Sequence, residues 1–581
     1  MLVLMSIFKI SVIMKTIKII IPVILLILFS ISCENILDIS PQDRIAEDAV
    51  WSDPNLIRAY HTELYNAVPH GFFIHMYSKY TDEAFNNAPC CGANLFKLNT
   101  YTPDNIAEAG GGTGFWASGS GYMYYWDRAY EYIRKINVFL SKMQESDVQM
   151  NDKDQLIGEA RFLRAFIYFN LIERFGGVPI VDEVYQLGDE VQFTRSTFDE
   201  CVTFIEQDIT AAKAVLPDKY SSTDAKYGRA SGVVCQALLS RVYLYAASPL
   251  FSPTKSQQKW QKAADAAEAL LNKGFALYSD YNKLFQMSQG AANDEVIFSR
   301  GFTTANGHQG PMHNFNRRYE GYGGWWGSNG PSANLIDSYD MINGEPAFLP
   351  DGSVNPASGY DPTQPFKNRD PRFEATILHD DMYFRGDHFE MWIAEDGASW
   401  GYDSYKATGD NPRTNTVLLK FMPEQGPFNW QTQFTIQWPF FRIAEIYLNY
   451  AEAKFELGDE VTAREYVNKV RRRASVNLPD IPATVTGEDL RRRIYNERRI
   501  ELAFENHRFF DVRRWKIATT VENAKITTYD IYLNKSTGVK RYEKVVLLDR
   551  SNTFKDYQSL LPIAQDERQR NPQIDQNPGY D

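Results

Sequence analysis

Apolar residues recur at every third or fourth position in several long stretches of the chain, which is typical of amphipathic helices. This spacing predicts one helix from Tyr122 to Lys142 and another from Leu156 to Phe175. The second should end at Gly176-Gly177-Val178-Pro179, because glycine just past a helix followed by proline is a stop signal. Further helices are predicted over residues 196–215, 230–247, 257–273, 440–457, 460–475 and 487–506.

The predicted helices come in pairs joined by short links. This arrangement is similar to tetratricopeptide hairpins, although their period of about 34 residues is not kept strictly. Each amphipathic pair needs neighbours that cover its apolar face, so the pairs are expected to stack. The sequence therefore predicts a mainly α fold, built on a degenerate tetratricopeptide-like scaffold of helical hairpins.

Residues 287–438 interrupt the helical pattern with a stretch rich in Gly, Asn, Pro and aromatic residues. A structureless segment of that length is implausible inside a compact domain. We therefore predict a large irregular insert of loops and short strands, mounted on the scaffold where binding groups tend to lie. The predicted organisation is a leader over 1–32, an N-terminal helical region over 33–286, the insert over 287–438 and a C-terminal helical region over 439–581.

The start of the chain has the pattern of an export signal. Lys15 and Lys18 precede an apolar run from Ile19 to Phe29, and small residues lead to Cys33. Eleven apolar residues are too few to span a bilayer, so we predict a cleaved signal peptide, with translation beginning at Met14. A cysteine directly after a small residue marks a bacterial lipoprotein signal, and several acyl chains on Cys33 would hold the protein at a membrane.

Charge and cysteine content narrow the classes of function. The 581 residues carry a net charge of −12, so phosphate backbones should repel the chain and a nucleic-acid partner is not expected. Five cysteines are too few for a disulfide scaffold, and no pair has metal-finger spacing. Cys90 and Cys91 are interpreted as free or partnered elsewhere, whereas Cys201 and Cys235 should be small buried hydrophobes. No cofactor is expected.

A charged stripe near the C-terminus resembles a catalytic site at first sight. Glu497, Glu501 and Glu505 are four residues apart on one helical face, among Arg493, Arg498, Arg499, Arg508, Arg513 and Arg514. A glycosidase needs one carboxyl group kept protonated, whereas so many arginines hold carboxylates ionised. We predict an ion-pair network that joins the last helices, with Asp511 fixing the turn into Trp515, and no enzymatic activity.

Blocks of sequence spread over most of the chain form a recognisable set. They are Cys33–Pro41, Glu159–Ala165 with Phe175–Pro179, Gly228–Ser231, Arg442–Ala453, Asn468–Arg471, Asn496–Glu505, Arg508–Trp515, Leu561–Ile563 and Asn577–Tyr580. In this order they resemble the SusD/RagB family of Bacteroidetes outer-membrane lipoproteins. The resemblance implies a surface-exposed glycan-binding protein, anchored in the outer membrane at Cys33. It would sit as a lid on a SusC-like TonB-dependent transporter and pass oligosaccharides to it.

Glycan binding requires flat rings for the C–H face of a sugar and planar polar groups for its hydroxyl rim. A glycine-rich loop in the insert supplies both, and a second such loop lies over residues 110–116. The family uses these two regions as its binding face. The predicted ring platform is Trp116, Tyr322, Trp325 and Trp326, and the predicted polar contacts are Arg317, Arg318 and Asn329. The alternative is that these tryptophans pack the core of the insert; Trp392, Trp400, Trp430 and Trp438 are weaker candidates for binding.

The ligand class stays open at this stage. Residues 301–440 hold nine Lys or Arg against seventeen Asp or Glu, so the insert as a whole should repel a polyanion. Arg317 and Arg318 could still hold a sulfate or uronate by bidentate contacts. Neutral chains such as starch or xylan and anionic chains such as ulvan therefore both remain. A binding lipoprotein for peptides or another nutrient is the alternative function, and a surface hydrolase is a third.

Overall fold

The computed structural model describes residues 47–85, 92–110 and 123–580, other than 187, 190, 222, 292, 317, 319–326 and 430. Its residues group into two units. In the first, residues 47–60 with 146–149, the rings of Trp51 and Tyr60 lie 4.9 Å apart and the Ser146 hydroxyl donates to the Trp51 carbonyl. The second unit holds the remaining described residues and all the sites considered below. Within this part of the chain no helix is both long and apolar enough to cross a membrane.

Helices dominate the described chain. In chain order they are α1 Glu47–Ser52, α2 Pro54–Leu64, α3 Ala93–Lys97, α4 Trp126–Glu145, α5 Lys153–Phe175, α6 Phe198–Val215, α7 Gly232–Ala247, α8 Gln257–Leu271, α9 Tyr281–Leu284, α10 Gly310–Asn314, α11 Ala333–Ile336, α12 Arg372–Thr376, α13 Ile443–Glu456, α14 Glu460–Arg471, α15 Gly487–Glu501, α16 Arg508–Arg514, α17 Ala518–Val521 and α18 Gln565–Arg570. The long members match the helices predicted from apolar spacing, with ends that differ by a few residues.

Most strands are short. They are β1 Ala84–Phe85, β2 Val296–Arg300, β3 Gly330–Pro331, β4 Ile377–Leu378, β5 Tyr383–Phe384, β6 Asp387–His388, β7 Ile393–Ala394, β8 Val417–Leu418, β9 Trp438–Arg442, β10 Ile526–Leu533 and β11 Lys540–Leu548. The antiparallel pairs are β1–β3, β2–β9, β4–β8, β5–β6 and β10–β11, and β7 runs parallel to β10.

Successive long helices pack against one another. Helix α5 contacts α4 and α6, α7 packs on α8, and α13 contacts α8, α14 and α15. Helix α5 is buried on almost every side from Leu156 onward, so it forms the centre of the N-terminal helices. It ends as predicted: Gly176 has φ +73°, and a Cβ on Gly177 would lie 2.0 Å from the Ser196 carbonyl. The predicted mainly α hairpin scaffold is confirmed.

The two ends of the insert lie side by side, because β2, near its start, pairs with β9, which begins at its last residue. A small apolar cluster of Met341, Ala347 and Tyr360 lies within the insert, but most of the insert's buried apolar side chains do not form a core of their own. They share one apolar cluster with residues from before and after the insert, including Phe72, Tyr281, Phe315, Phe373, Phe421, Trp438, Phe504 and Ile531. The loops of the insert therefore rest on the same interior as the helices, which fixes their positions.

Candidate functional site

A salt bridge between Arg318 and Asp403 joins distant stretches of the insert. The Arg318 Nε donates to Asp403 Oδ1 at 2.9 Å, and an Arg318 Nη2 donates to the other carboxylate oxygen and, at 3.0 Å, to the His388 carbonyl. Asp403 also accepts from Asn316 Nδ2 at 2.7 Å and from the Glu390 amide at 2.9 Å. The Asp403 side chain is fully buried, so this carboxylate ties together several separate stretches of chain.

These contacts fix Arg318, which precedes residues 319–326 in the chain, and backbone bonds fix Gly327 and Ser328, which follow them. The Gly327 amide donates to the Phe315 carbonyl at 3.2 Å, and the Ser328 amide to the His313 carbonyl at 3.0 Å. Gly327 has φ +48° and a Cβ there would lie 2.7 Å from Pro412, so the close approach requires glycine. Arg318 on one side of the loop predicted to carry binding rings and Gly327 to Asn329 on the other thus form a fixed neck.

Asn329 belongs to this neck and differs from its predicted role. It is fully buried, its Oδ1 accepts from the Met76 amide at 3.0 Å, and its Nδ2 donates to the Ile74 carbonyl at 3.2 Å and to Asn314. The amide is consumed by internal partners and does not reach a surface ligand. A planar amide beside a glycine-rich loop fits either role, and the sequence does not separate them.

Two exposed rings, Tyr402 and Trp400, lie on the stretch of chain that ends at Asp403. Tyr402 is 47% exposed, and the Arg318 guanidinium lies 4.9 Å from its ring centre. Residues 400–403 pair irregularly with 390–393, and alternation along an extended chain turns Asp403 inward while Tyr402 and Trp400 face out together. Trp400 is 44% exposed. A Cβ on Gly401 would lie 2.2 Å from the Glu390 carbonyl, so glycine is needed where the two stretches meet.

The third ring, Tyr383, is displayed by a tight hairpin of β5 and β6. Arg385 and Gly386 both have positive φ, 52° and 97°, which is the geometry of a two-residue type I′ turn. Tyr383 is 64% exposed and its ring lies 5.1 Å from that of His388, the residue whose carbonyl accepts from Arg318. The hairpin is thereby held against the Arg318–Asp403 pair.

A groove of about 720 Å³ lies beside this hairpin. Tyr383, Asn282, Glu424 and Gln425 line it, and Asn282 Nδ2 donates to Glu424 Oε1 at 3.0 Å. The groove therefore offers a ring face next to amide and carboxylate groups. Such a combination suits a ligand that presents weakly apolar faces and many hydroxyls.

Most of the predicted contact residues lie outside the described part of the chain. They are Trp116, Arg317, Tyr322, Trp325 and Trp326. The predictions for Cys33, Cys90, Cys91 and Trp430 also fall on residues outside it. Of the weaker candidates, Trp438 is buried in the core and Trp392 packs half-buried against it, while Trp400 is exposed. Sequence reasoning missed Tyr383 and Tyr402. Tyr383 lies in the short apolar run Met382–Phe384 and Tyr402 stands alone between Gly401 and Asp403, and neither setting marks an exposed binding ring.

The charged stripe near the C-terminus is an ion-pair network, as predicted. Glu501 pairs with Arg442 and Arg473, each at 2.6 Å, and with Arg372 at 2.9 Å. Burial alone would raise the pKa of Glu501, but these arginines outweigh it and hold the pKa well below the usual 4.5. Glu501 therefore stays ionised, the wrong state for a general acid.

The partners of the stripe come from distant segments rather than from the arginines beside it. Glu497 pairs with Arg372 and Arg471, and Glu505 with Arg442 and Lys420. The local arginines pair with other acids: Arg498 and Arg514 with Asp511, Arg499 and Arg508 with Asp82, Arg493 with Asp340 and Arg513 with Glu522. Cys201 and Cys235 are free and buried as predicted, and burial raises the pKa of Cys201 to about 11.

Comparison with known proteins places this fold in a family. The sequence profile of the SusD family matches residues 294–580, and a profile described as starch-binding and associating with the outer membrane matches residues 43–244. The chain belongs to the SusD/RagB family. The first profile covers the whole stretch from β2 to the C-terminus, including Arg318, Tyr383 and Tyr402.

Relatives of this SusD/RagB protein align along most of their length. SusD-like protein P2 of Formosa agariphila is 25% identical over 480 residues, which are 78% of this chain and 80% of that one. A SusD-like protein of Bacteroides fragilis superposes with a TM-score of 0.73 at 28% identity, covering 93% of this chain and all of that one. A SusD-like carbohydrate-binding protein of the same species gives 0.71 at 27% identity, over 90% and all of the two chains.

Proposed function

We propose that this SusD/RagB protein captures polysaccharide or oligosaccharide at the cell surface and delivers it to a SusC-like TonB-dependent transporter. Acylation at Cys33 would anchor it in the outer membrane, within a system for polysaccharide utilisation and degradation. The observation that carries the proposal is the set of exposed rings, Tyr383, Trp400 and Tyr402, around the Arg318–Asp403 pair. Co-purification with a TonB-dependent transporter from outer membranes tests the delivery step.

The exposed rings and the adjoining groove suit binding of a glycan without its hydrolysis. Exposed phenol and indole faces can stack on sugar rings, and the polar groups of the adjoining groove can bond the hydroxyl rim. Affinity for an isolated sugar should be modest, because few rings engage and desolvation of hydroxyls offsets much of the gain. A transporter held next to the protein would raise the effective affinity through tethering.

We further propose that the ligand is a neutral glycan. The guanidinium of Arg318 is neutralised by buried Asp403 and is also within 3.5 Å of Asp387, so these three described residues together carry no net positive charge; Arg317 lies outside the described residues. The surrounding insert holds seventeen acidic against nine basic residues over 301–440. A polyanion would have to approach this field without a dominant cation to offset the repulsion.

Replacing Tyr402 or Tyr383 with alanine is expected to weaken glycan binding by about three- to tenfold, because each change removes a ring face worth about 0.5–1.5 kcal/mol. Affinity electrophoresis against a polysaccharide panel, followed by isothermal titration with the best ligand, measures the effect. Tyr557→Ala is the matched control, since Tyr557 is 42% exposed but lies outside the insert. Failure of the wild-type protein to be retained by any glycan would contradict the proposal.

The affinity for the neutral ligand should change by less than about twofold between about 50 and 500 mM NaCl, because salt screens charge pairs and leaves ring stacking intact. The same titration repeated with a sulfated polysaccharide of similar length is the comparison. Tight binding of the sulfated chain that falls steeply with salt would show an anionic ligand instead, while leaving the capture function in place.

A further inference from the structure

A second pocket, of about 550 Å³, lies beside helix α4. Its walls are α4, the described residues of the segment 179–193, and the chain around Glu567. Two aromatic pairs line it: Trp126 with Tyr130, ring centres 5.1 Å apart, and Tyr185 with Phe193, 5.3 Å apart. A concave pocket of this size with mainly apolar walls is typical of a binding site.

Internal contacts hold these walls in place. The Tyr130 hydroxyl donates to the Pro179 carbonyl at 2.8 Å, and Arg134 Nη1 donates to the Tyr185 carbonyl at 2.6 Å. The Trp126 ring meets the buried ring of Phe175 edge-on at 5.2 Å. Because the pocket is already formed, binding would cost little free energy of reorganisation.

The rim of the pocket is acidic. Its carboxylates are Asp127, Glu131, Glu183, Asp189 and Glu567, and Arg134 is the one cation among its described lining residues. Lys135, next to Arg134 in the chain, also pairs with Glu131 at 2.8 Å, so four carboxylates remain against Arg134. The Arg134 guanidinium already bonds the Tyr185 carbonyl. Burial raises the pKa of Glu567 above its ordinary value. The Arg570 guanidinium, 3.4 Å from its carboxylate, lowers the pKa again in part, and the negative charge of Asp127 raises it.

The carboxylates are spread along the pocket rather than aimed at one point. Asp127 and Glu131 are four residues apart on α4, or roughly 6 Å along its axis. Glu183 and Asp189 lie on the facing segment and Glu567 on the C-terminal side. This distribution fits an extended occupant with several positive charges better than a single small cation.

We propose that this pocket binds a segment of a partner polypeptide that carries several Lys or Arg side chains interspersed with apolar ones. Ammonium and guanidinium groups would lie against the ring faces and carboxylates, and their aliphatic stems would cover the apolar walls. Because the pocket uses different elements from the glycan site, the inference does not depend on the proposed function.

The test measures fluorescence anisotropy of a labelled peptide, Gly-Lys-Leu-Gly-Arg-Phe-Gly-Lys-Gly, added to the mature protein. We expect saturable binding that weakens several-fold between about 50 and 500 mM NaCl, because the rim contacts are exposed charge pairs. A peptide with Glu in place of every Lys and Arg should not bind. Equal binding of the acidic peptide, or no binding of either, overturns the proposal.

Variants of the lining residues test whether the peptide binds in this pocket. Asp127→Asn combined with Glu131→Gln should weaken the basic peptide about fivefold, and Phe193→Ala about three- to tenfold. Asp182→Asn, an exposed carboxylate outside the pocket lining, is the matched control and should change nothing. A control that weakens binding as much as the pocket variants would refute the location. Tetraethylammonium that binds as tightly as the peptide would show a site for small organic cations instead of a polypeptide.

Discussion

Replacing Arg442 with glutamine is expected to lower the free energy of unfolding by about 3–5 kcal/mol, because it leaves buried carboxylates without their main partner. Arg442 is 1% exposed and bonds three acids: Glu505 at 2.7 and 2.8 Å, Glu501 at 2.6 Å and Glu295 at 2.8 Å. Chemical denaturation followed by tryptophan fluorescence at about pH 7 measures the loss.

Arg472→Gln provides the matched control. Arg472 also pairs with two acids, Glu465 and Asp480, but its side chain is 46% exposed. Exposed pairs contribute about 0–1 kcal/mol, so this variant should stay within about 1 kcal/mol of the wild type. Equal effects of the two substitutions would falsify the assignment of the Arg442 cluster as a buried network.

The deficit of Arg442→Gln should depend on pH in a defined direction. Arg442 helps hold the pKa of Glu501 and of Glu505 below the ordinary value of 4.5. A depressed carboxyl pKa gives stability that is fully present above pH 4.5 and is lost as pH falls through the folded-state value. The difference between wild type and variant should therefore be largest above pH 4.5 and should narrow below it. A general packing defect would not follow this profile.

The sequence predicts the helices well because apolar spacing is a local property. Helices α5, α6 and α15 lie where their periodicity places them, and the Gly176-Gly177 stop is where α5 ends. The β10–β11 hairpin is not predicted, since β11 is largely exposed and its strand has little apolar alternation. Local pattern cannot show which distant segment completes a sheet or a core.

The partners of buried ion pairs are equally hard to predict from local sequence. The charge of Glu497, Glu501 and Glu505 indicates a network, but their partners Arg372, Arg442 and Arg473 lie 28 to 129 positions away in the chain. In the candidate site, the glycine-rich loop is visible in the sequence, whereas Asp403, which holds its neck, is not. Asn329 looks like a ligand group and is instead part of the interior, because tertiary contacts decide what an amide faces.

Replacing Asp403 with asparagine is expected to weaken glycan binding by about 10- to 100-fold. Hydrogen bonds to a charged group contribute about 1.5–3 kcal/mol, and Asp403 accepts such bonds from Arg318 while also holding Asn316. Without the carboxylate, Arg318 loses its fixed place between Tyr402 and the β5–β6 hairpin. Isothermal titration with the glycan that binds the wild type gives the affinity.

A double-mutant cycle distinguishes the positioning role of Asp403 from a simple loss of folding. Arg318→Met alone should also weaken binding, and the double variant should lose little more than either single change, because the two residues act as one unit. Asp396→Asn, an exposed carboxylate in the same insert, is the control and should bind as the wild type does. Circular dichroism must show the same helix content for every variant titrated. Full additivity of the two losses, or wild-type affinity in Asp403→Asn, would mean that the Arg318–Asp403 pair does not position the binding surface.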